Sequence, residues 1–280
     1  SEGLTAAQVN NPEIYTALYF GIKGLKEEKK QKDFNKYPTS KETHRGSIRQ
    51  IINDGNNIYS AGSDGKILKW TISPTSNKAD KPKVTTSVIG NIKETVLSMD
   101  FLNGKLITAG KNRRINLFHT TSSKASESYD IHNNRFVWDV YFIDDNTIVS
   151  SGQDQNVVSF NLKTKAIKPL FQSNSDIKNI AFDRNNNILA MGDGKGVVTL
   201  MNMSEPGKKS GTKTFSGGAI TALEFRPDGN YLVVGNERGK LYLVSFPEFM
   251  IIKELDTHTF AVTDIQFNTS TTFVTTSRDR

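Results

Sequence analysis

The side chains able to do chemistry in this chain are few, and they recur. Histidine occupies four positions only, His44, His119, His132 and His258. Three of these, His44, His132 and His258, are each followed by a turn that holds an aspartate: Asp64, Asp154 and Asp279. Imidazole and carboxylate together are the materials of general acid–base catalysis and of metal binding. Recurrence favours a different use, since a catalytic centre needs one set, whereas a structural brace comes once per repeat. No Gly-x-Ser-x-Gly, no Gly-x4-Gly-Lys-Ser/Thr phosphate cradle and no His-Glu-x-x-His is present. The run 193–196 is rich in glycine but reads as a tight turn between strands. Residues 53–57 and 183–187 share only composition with calcium loops and lack the spaced carboxylates and terminal Glu. With no cysteine, disulfides, thiolate nucleophiles and Cys-based metal sites are excluded. The expectation is a chain with no catalytic residues, no metal and no cofactor.

What positions these residues is a repeat. Each unit has an apolar strand, a turn, a second apolar strand ending in a small residue and glycine, a polar turn, and a third, alternating strand. In unit one these are 47–52, 58–62 and 66–70; in unit two 95–101, 106–110 and 115–118; in unit three 136–142, 148–152 and 157–160. Unit four has 177–182, 188–192 and 197–201; unit five 220–225, 231–235 and 241–244; unit six 262–267 and 273–276. Equivalent positions 48, 96, 137, 177, 220 and 262 step by 40 to 48 residues. A fourth, less regular strand fits between units near 84–88, 127–131, 166–171, 212–215 and 250–255. Four short strands at a period of about 40–45 residues is the pattern of a propeller blade. A blade is a small twisted sheet with two apolar faces, and it buries both only by stacking on neighbours. Inner strands covered on both sides explain near-continuous apolar runs such as 188–191 and 231–234. A sandwich has no reason to keep a fixed period, and solenoid repeats are usually shorter. The expected fold is all-β, a propeller of about six four-stranded antiparallel blades, with seven also allowed.

The units resemble WD40 repeats. The pattern of that family is a Gly-His, an apolar first strand, a second strand ending in a small residue and Gly, an Asp in the next turn, and Trp-Asp ending the third strand. Unit one is nearest: His44, Ser60, Gly62, Asp64 and Trp70 stand at the family positions, with Thr71 where the family has Asp. Unit three keeps His132, Ser150 and Asp154 but has Phe160 for Trp; unit six keeps His258, Thr275 and Asp279. Unit two, with Asn112 and Phe118, and unit five, with Glu237 and Ser245, are expected to carry partial polar chains or none. The resemblance covers about residues 44–280. It implies a WD40-type β-propeller in which these side chains are braces: Asp64 holds His44, and Trp70 donates its indole N–H to Ser60. It also implies an outer clasp strand at 33–37. Unit six stops before a third strand, so the chain is cut short, the last blade is short, or further blades follow. Residues 11–23 read as a helix, with Asn11 as cap, Pro12 at its first position, and Ile14, Leu18 and Ile22 on one stripe. The expected domains are a helical extension over 1–32 and the propeller over 33–280. A helix just before the first blade is similar to bacterial multidomain sensors, especially those of Bacteroidetes with C-terminal propellers.

The bulk numbers agree with one large β domain: 280 residues, 36% hydrophobic and 23% charged. No apolar stretch is long enough to span a membrane, and the N-terminus lacks the pattern of a signal peptide. The cytoplasm is the expected compartment, with the periplasm as the alternative. The net charge is +7, and the densest basic run, 23–36, is interrupted by Glu27 and Glu28. A solvated face explains that run better than nucleic-acid binding, which is disfavoured. Protein binding is the better reading. In WD40 proteins, side chains just inside the first strands and just before the turn Asp reach one end face. Here the former are Arg49, Leu97, Trp138, Lys178, Thr221 and Thr263; the latter are Ser63, Lys111, Gln153, Asp193, Asn236 and Arg278. Trp138, beside Arg135 and Phe136, stands first because Trp and Arg are enriched as interface anchors. The alternative is that Trp138 packs between blades two and three. The expected function is a non-catalytic interaction or sensor scaffold in a larger multidomain signalling protein. Its partner would meet Arg49, Lys111, Arg135, Phe136, Trp138, Gln153, Lys178 and Asn236. The rival is a propeller enzyme or small-ligand or glycan binder using the central channel, which would need carboxylates or a metal along the axis.

Overall fold

The computed structural model describes residues 42–55, 57–73, 83–120, 126–267 and 272–279. The expected helix at 11–23, the extension over 1–32 and the clasp at 33–37 lie outside the described residues. Among the described residues every regular element is a strand, and the strands form six antiparallel sheets in simple chain order. Blade one is Ile48–Asn53, Asn57–Gly62, Lys66–Ser73 and Lys83–Asn91; blade two is Val96–Leu102, Lys105–Gly110, Ile115–His119 and Glu127–Tyr129. Blade three is Val137–Phe142, Thr147–Gly152, Asn156–Asn161 and Ile167–Gln172; blade four is Ile177–Asp183, Ile188–Asp193, Val197–Asn202 and Lys209–Thr214. Blade five is Ile220–Phe225, Tyr231–Asn236, Lys240–Ser245 and Ile251–Asp256, and a two-stranded sheet, Val262–Phe267 with Phe273–Ser277, is blade six. The fold is an all-β, WD40-type propeller, and the fourth strands fall where the irregular segments between units placed them.

Burial follows strand order, as the sequence pattern requires. The second strand of blade four, Ile188–Asp193, is buried at every residue, whereas the outer strand Ile251–Asp256 of blade five is exposed at five of six. Apolar and small residues fill the former, and Lys253, Glu254 and Asp256 mark the latter as an edge.

The described chain divides into two compact units. One holds the residues up to Asn112 with Asn116–Glu127, and the other holds Arg113–Ile115 and the residues from Ser128 onward. In the first unit, Tyr59, Ala61 and Ile67 of blade one pack on Val96, Met99 and Leu106 of blade two. In the second, successive sheets share apolar layers: Val149 with Ile177 and Ile180, Val198 with Ile220 and Leu223, Leu241 with Val262 and Ile265. Two glycines allow this stacking. A Cβ at Gly192 would lie 2.4 Å from Ile220 Cγ2, and one at Gly235 2.8 Å from Val262 Cγ1, so each lets the next blade's first strand approach.

Candidate functional site

All six first strands carry the same irregularity. The register jumps between Ile48 and Gln50, Val96 and Ser98, Ile177 and Asn179, Ile220 and Ala222, and Val262 and Asp264. In blade three the jump falls between the pairs Val137↔Gly152 and Asp139↔Ser151. The extra residues are therefore Arg49, Leu97, Trp138, Lys178, Thr221 and Thr263. A bulge re-aims its extra side chain and sharpens the local twist. One backbone device thus presents six different side chains near the start of the first strand. Arg49, Lys178 and Thr263 are exposed, and Leu97, Trp138 and Thr221 are half-buried.

The turn after the second strand divides the other candidates. Ser63, Lys111, Gln153 and Arg278 follow the residue that pairs with the strand start, whereas Asp193 and Asn236 are themselves that residue, opposite Ile177 and Ile220. Asn236, expected at the partner surface, is fully buried. Its amide donates to the Ser216 carbonyl at 2.8 Å, and its side-chain oxygen accepts the N–H groups of Arg238 and Lys240 at 3.0 Å each. Asn236 is a turn brace and leaves the surface set. Asp193 behaves alike, accepting the Ser173 hydroxyl at 3.1 Å and the N–H groups of Lys195 and Val197 at 2.9 Å each.

Three blades carry a carboxylate–imidazole–hydroxyl chain. His44 lies 2.9 Å from Asp64 and 2.8 Å from Ser60, whose Oγ also accepts the Trp70 indole N–H at 2.7 Å. His132 lies 2.8 Å from Asp154 and 2.7 Å from Ser150; His258 lies 2.9 Å from Asp279 and 2.8 Å from Thr275. A carboxylate only accepts, so Nδ1–H donates to it, and Nε2 accepts a hydrogen bond from the hydroxyl. Burial works to raise the Asp154 carboxyl, but the hydrogen bonds from His132 and Asn156 outweigh it and hold it below the usual value. Asp64 is likewise held low, by His44 and the backbone of Arg45 and Lys66 against the effect of burial. The order of groups is that of a nucleophilic triad. Two of the hydroxyls, however, are closed off, with Ser60 2% exposed and Ser150 0%, while Thr275 is half-buried. Each chain ties the loop ahead of the first strand to the second strand and its turn. Residues 53–57 and 183–187 also spend their carboxylates locally: Asp54 accepts from Asn57 and Tyr59, and Asp183 from Asn185 and Asn186.

In the second unit, the strand-start ends of blades three and four form an open pocket of about 540 Å³, lined by Asn133, Arg135, Gln153, Asp154, Gln155 and Asp176. Arg135 is exposed, and Phe136 beside it is half-buried. Phe136 meets Trp138 edge to face, with centroids 6.0 Å apart and planes at 78°. The buried Trp138 Nε1 and Ser175 Oγ find no hydrogen-bond partner among the described residues.

The family model described as "WD domain, G-beta repeat" matches residues 209–244. That span runs from the fourth strand of blade four to the third strand of blade five, so the sequence repeat straddles two blades. The chain is 25% identical over 252 residues to the Ciliary WD repeat-containing protein ctxp80 of Euplotoides octocarinatus, covering 82% of this chain and 33% of that protein. It is 25% identical over 187 residues to Eukaryotic translation initiation factor 3 subunit I of Xenopus laevis, covering 62% and 57%. It is 24% identical over 246 residues to the WD repeat-containing protein AAC3 of Dictyostelium discoideum, covering 77% and 49%. The chain thus spans between a third and three-fifths of the length of these curated relatives. They are eukaryotic and lend no support to the likeness to bacterial sensors. The chain carries a WD repeat at residues 209–244 and is similar to WD-repeat proteins over most of its described length.

Proposed function

We propose that this chain is a non-catalytic protein-interaction or sensor scaffold that works in the cytoplasm as part of a longer multidomain protein. In the second unit the partner seats on the surface of Arg135, Phe136, Trp138, Gln153 and Lys178. In the first, Arg49 and Lys111 hold the equivalent bulge and turn positions. The observation that carries this reading is the bulge repeated in every first strand, which keeps the scaffold constant while varying the side chain offered. The histidines and aspartates of blades one, three and six are already committed to bracing. WD-repeat relatives fit the same reading. Replacing Trp138 with Ala is expected to weaken an identified partner by about ten-fold or more while cooperative unfolding is retained. Unchanged affinity by calorimetry would take Trp138 out of the site.

A further inference from the structure

The strand-start end of the first unit carries more cations than its carboxylates answer. Arg45 and Lys93 stand in the loops ahead of the first strands of blades one and two, Arg49 at the bulge of blade one, and Lys111 in the turn after Gly110. All four are exposed, and none has an ion-pair partner among the described residues. Three carboxylates share this end. Glu42 is bridged to Lys66 at 3.1 Å. Asp64 has its oxygens taken by His44 and by the N–H groups of Arg45 and Lys66. That leaves Glu94, exposed beside Lys93, to face the four cations.

The backbone gathers these residues into one patch, with the turn Ser63–Gly65 as its hub. The Arg45 N–H donates to Asp64 Oδ2 at 2.8 Å, and the Ser63 N–H to the carbonyl of Ser47, two residues before Arg49, at 2.8 Å. From the other side, the Ile92 N–H donates to the Gly65 carbonyl at 3.0 Å, and a Cβ at Gly65 would lie 2.8 Å from the Lys93 nitrogen. The Lys111 N–H reaches the carbonyl of Thr95, two residues after Lys93, at 2.9 Å. Cations from two blades thus share one end, and their charges repel until an anion arrives. The excess is local. In the second unit, the corresponding segments of blades three and four set Asp130, Asp154, Asp176 and Asp193 against Arg135, Lys178 and Lys195.

Resting on the interaction reading above, we propose that this patch of blades one and two seats an acidic segment of a protein partner, whose carboxylates lie among Arg45, Arg49, Lys93 and Lys111. A guanidinium can hold a carboxylate through two parallel N–H bonds. A peptide suits the patch better than a nucleic acid. Segments 42–49, 63–66, 92–97 and 111–112 hold no Phe, Tyr or Trp on which a base could stack, and Leu97, half-buried at the bulge of blade two, offers an apolar contact instead. Glu94 opposes a continuous run of phosphates, whereas a peptide can set an N–H against it.

The test titrates the purified chain with a short fluorescein-labelled peptide of alternating Glu and Gly, its Gln counterpart, and a single-stranded oligonucleotide of equal charge, read by anisotropy. The Glu peptide is expected to bind, to weaken with added salt, and to lose about ten-fold in Arg49→Ala/Lys93→Ala and again in the independent pair Arg45→Ala/Lys111→Ala. The side chains are exposed, so the urea midpoint of both variants should stay that of the parent, which separates lost binding from lost fold. Lys163→Ala/Lys195→Ala removes two exposed cations from the second unit and should leave binding unchanged. An equal loss there would trace binding to net charge and overturn the patch. Equal binding of the Gln peptide, or no binding of either, overturns the acidic chemistry and leaves the interaction reading to the Trp138 test. Tighter binding of the oligonucleotide overturns it in favour of nucleic acid.

Discussion

Blades three and five hold the start of their first strands by different chemistry. In blade three the wholly buried imidazole of His132 spans Asp154 and Ser150, and glycine at 152 leaves it room. A Cβ on Gly152 would come within 2.4 Å of His132 Nδ1. In blade five, Ser216 occupies the loop position ahead of the first strand, and Asn236 stands where blade three has Gly152. The Tyr242 hydroxyl donates to the Ser216 carbonyl at 2.7 Å and lies 2.7 Å from its Oγ, while the Asn236 amide donates to the same carbonyl. Blade four also sets an Asx side chain against the loop serine, but there the Ser173 hydroxyl donates to Asp193. One backbone geometry therefore accepts a ring with a glycine or an Asx side chain bonded to the loop serine, through its carbonyl in blade five and its hydroxyl in blade four. The bulge is not exchanged. The brace is replaceable, the bulge is constant, and the residue at the bulge is where blades differ to the outside.

The strongest way to break this comparison is to swap its halves. His132→Ser alone removes the ring's two hydrogen bonds and strands Asp154 in a partly buried site, a loss of about 3 kcal/mol. Gly152→Asn alone drives a side chain into the imidazole and costs about 2 kcal/mol. Together they remove the clash of the new side chain with the ring and leave its amide a loop carbonyl to donate to, as Asn236 does to Ser216, so about 1 kcal/mol or more should return relative to the sum. Urea unfolding of the four proteins in the cycle measures it. Strict additivity would mean that the two solutions are not interchangeable.

A smaller loss is expected on the other side. Tyr242→Phe removes the phenol contacts with Ser216, but Asn236 still satisfies the carbonyl, so the cost should be about 1–2 kcal/mol. A loss as large as that of His132→Ser would place Tyr242, rather than Asn236, at the centre of the brace.

These contrasts show what the residues disclosed by themselves. Strand positions and sheet count were legible because period and alternation are local signals. The His–Asp–hydroxyl sets of blades one, three and six could be read because their residue types are distinctive. The brace of blade five was not, because Ser216, Asn236 and Tyr242 carry no shared signature. Lining up the units on their glycines also misplaced two candidates by one step. Gly62 and Gly152 pair with the strand starts Ile48 and Val137, whereas Gly192 and Gly235 pair with Asn179 and Ala222, beyond the bulge. Asp193 and Asn236 were thereby read as surface residues. The pocket itself joins residues from three loops, and no local pattern announces such a meeting.

The finest contrast concerns two aspartates that each follow a bulge. Asp139 accepts the Val140 N–H at 2.9 Å and reaches the Ile180 N–H of blade four at 2.8 Å, stitching one sheet to the next. Asp264 of blade six accepts the Ile265 N–H at 2.9 Å. Burial pushes its carboxyl up to about 6, and that hydrogen bond pulls only partly back. A carboxyl raised above its unfolded value of about 4 binds protons more readily in the folded state, so stability falls as pH rises between those values. The penalty is absent below about pH 4 and fully present above about pH 6. Asp264 is nonetheless exposed to solvent, which screens much of this effect, so the change with pH should be small. Asp264→Asn cannot titrate, so its melting temperature relative to the parent should rise between pH 4 and pH 7. At Asp139 the same substitution should lower the melting temperature, because an amide there puts an NH2 group against either the Val140 or the Ile180 N–H. A constant difference for Asp264→Asn across that range would mean that its carboxylate is as well served as that of Asp139, and the contrast between the two would be lost.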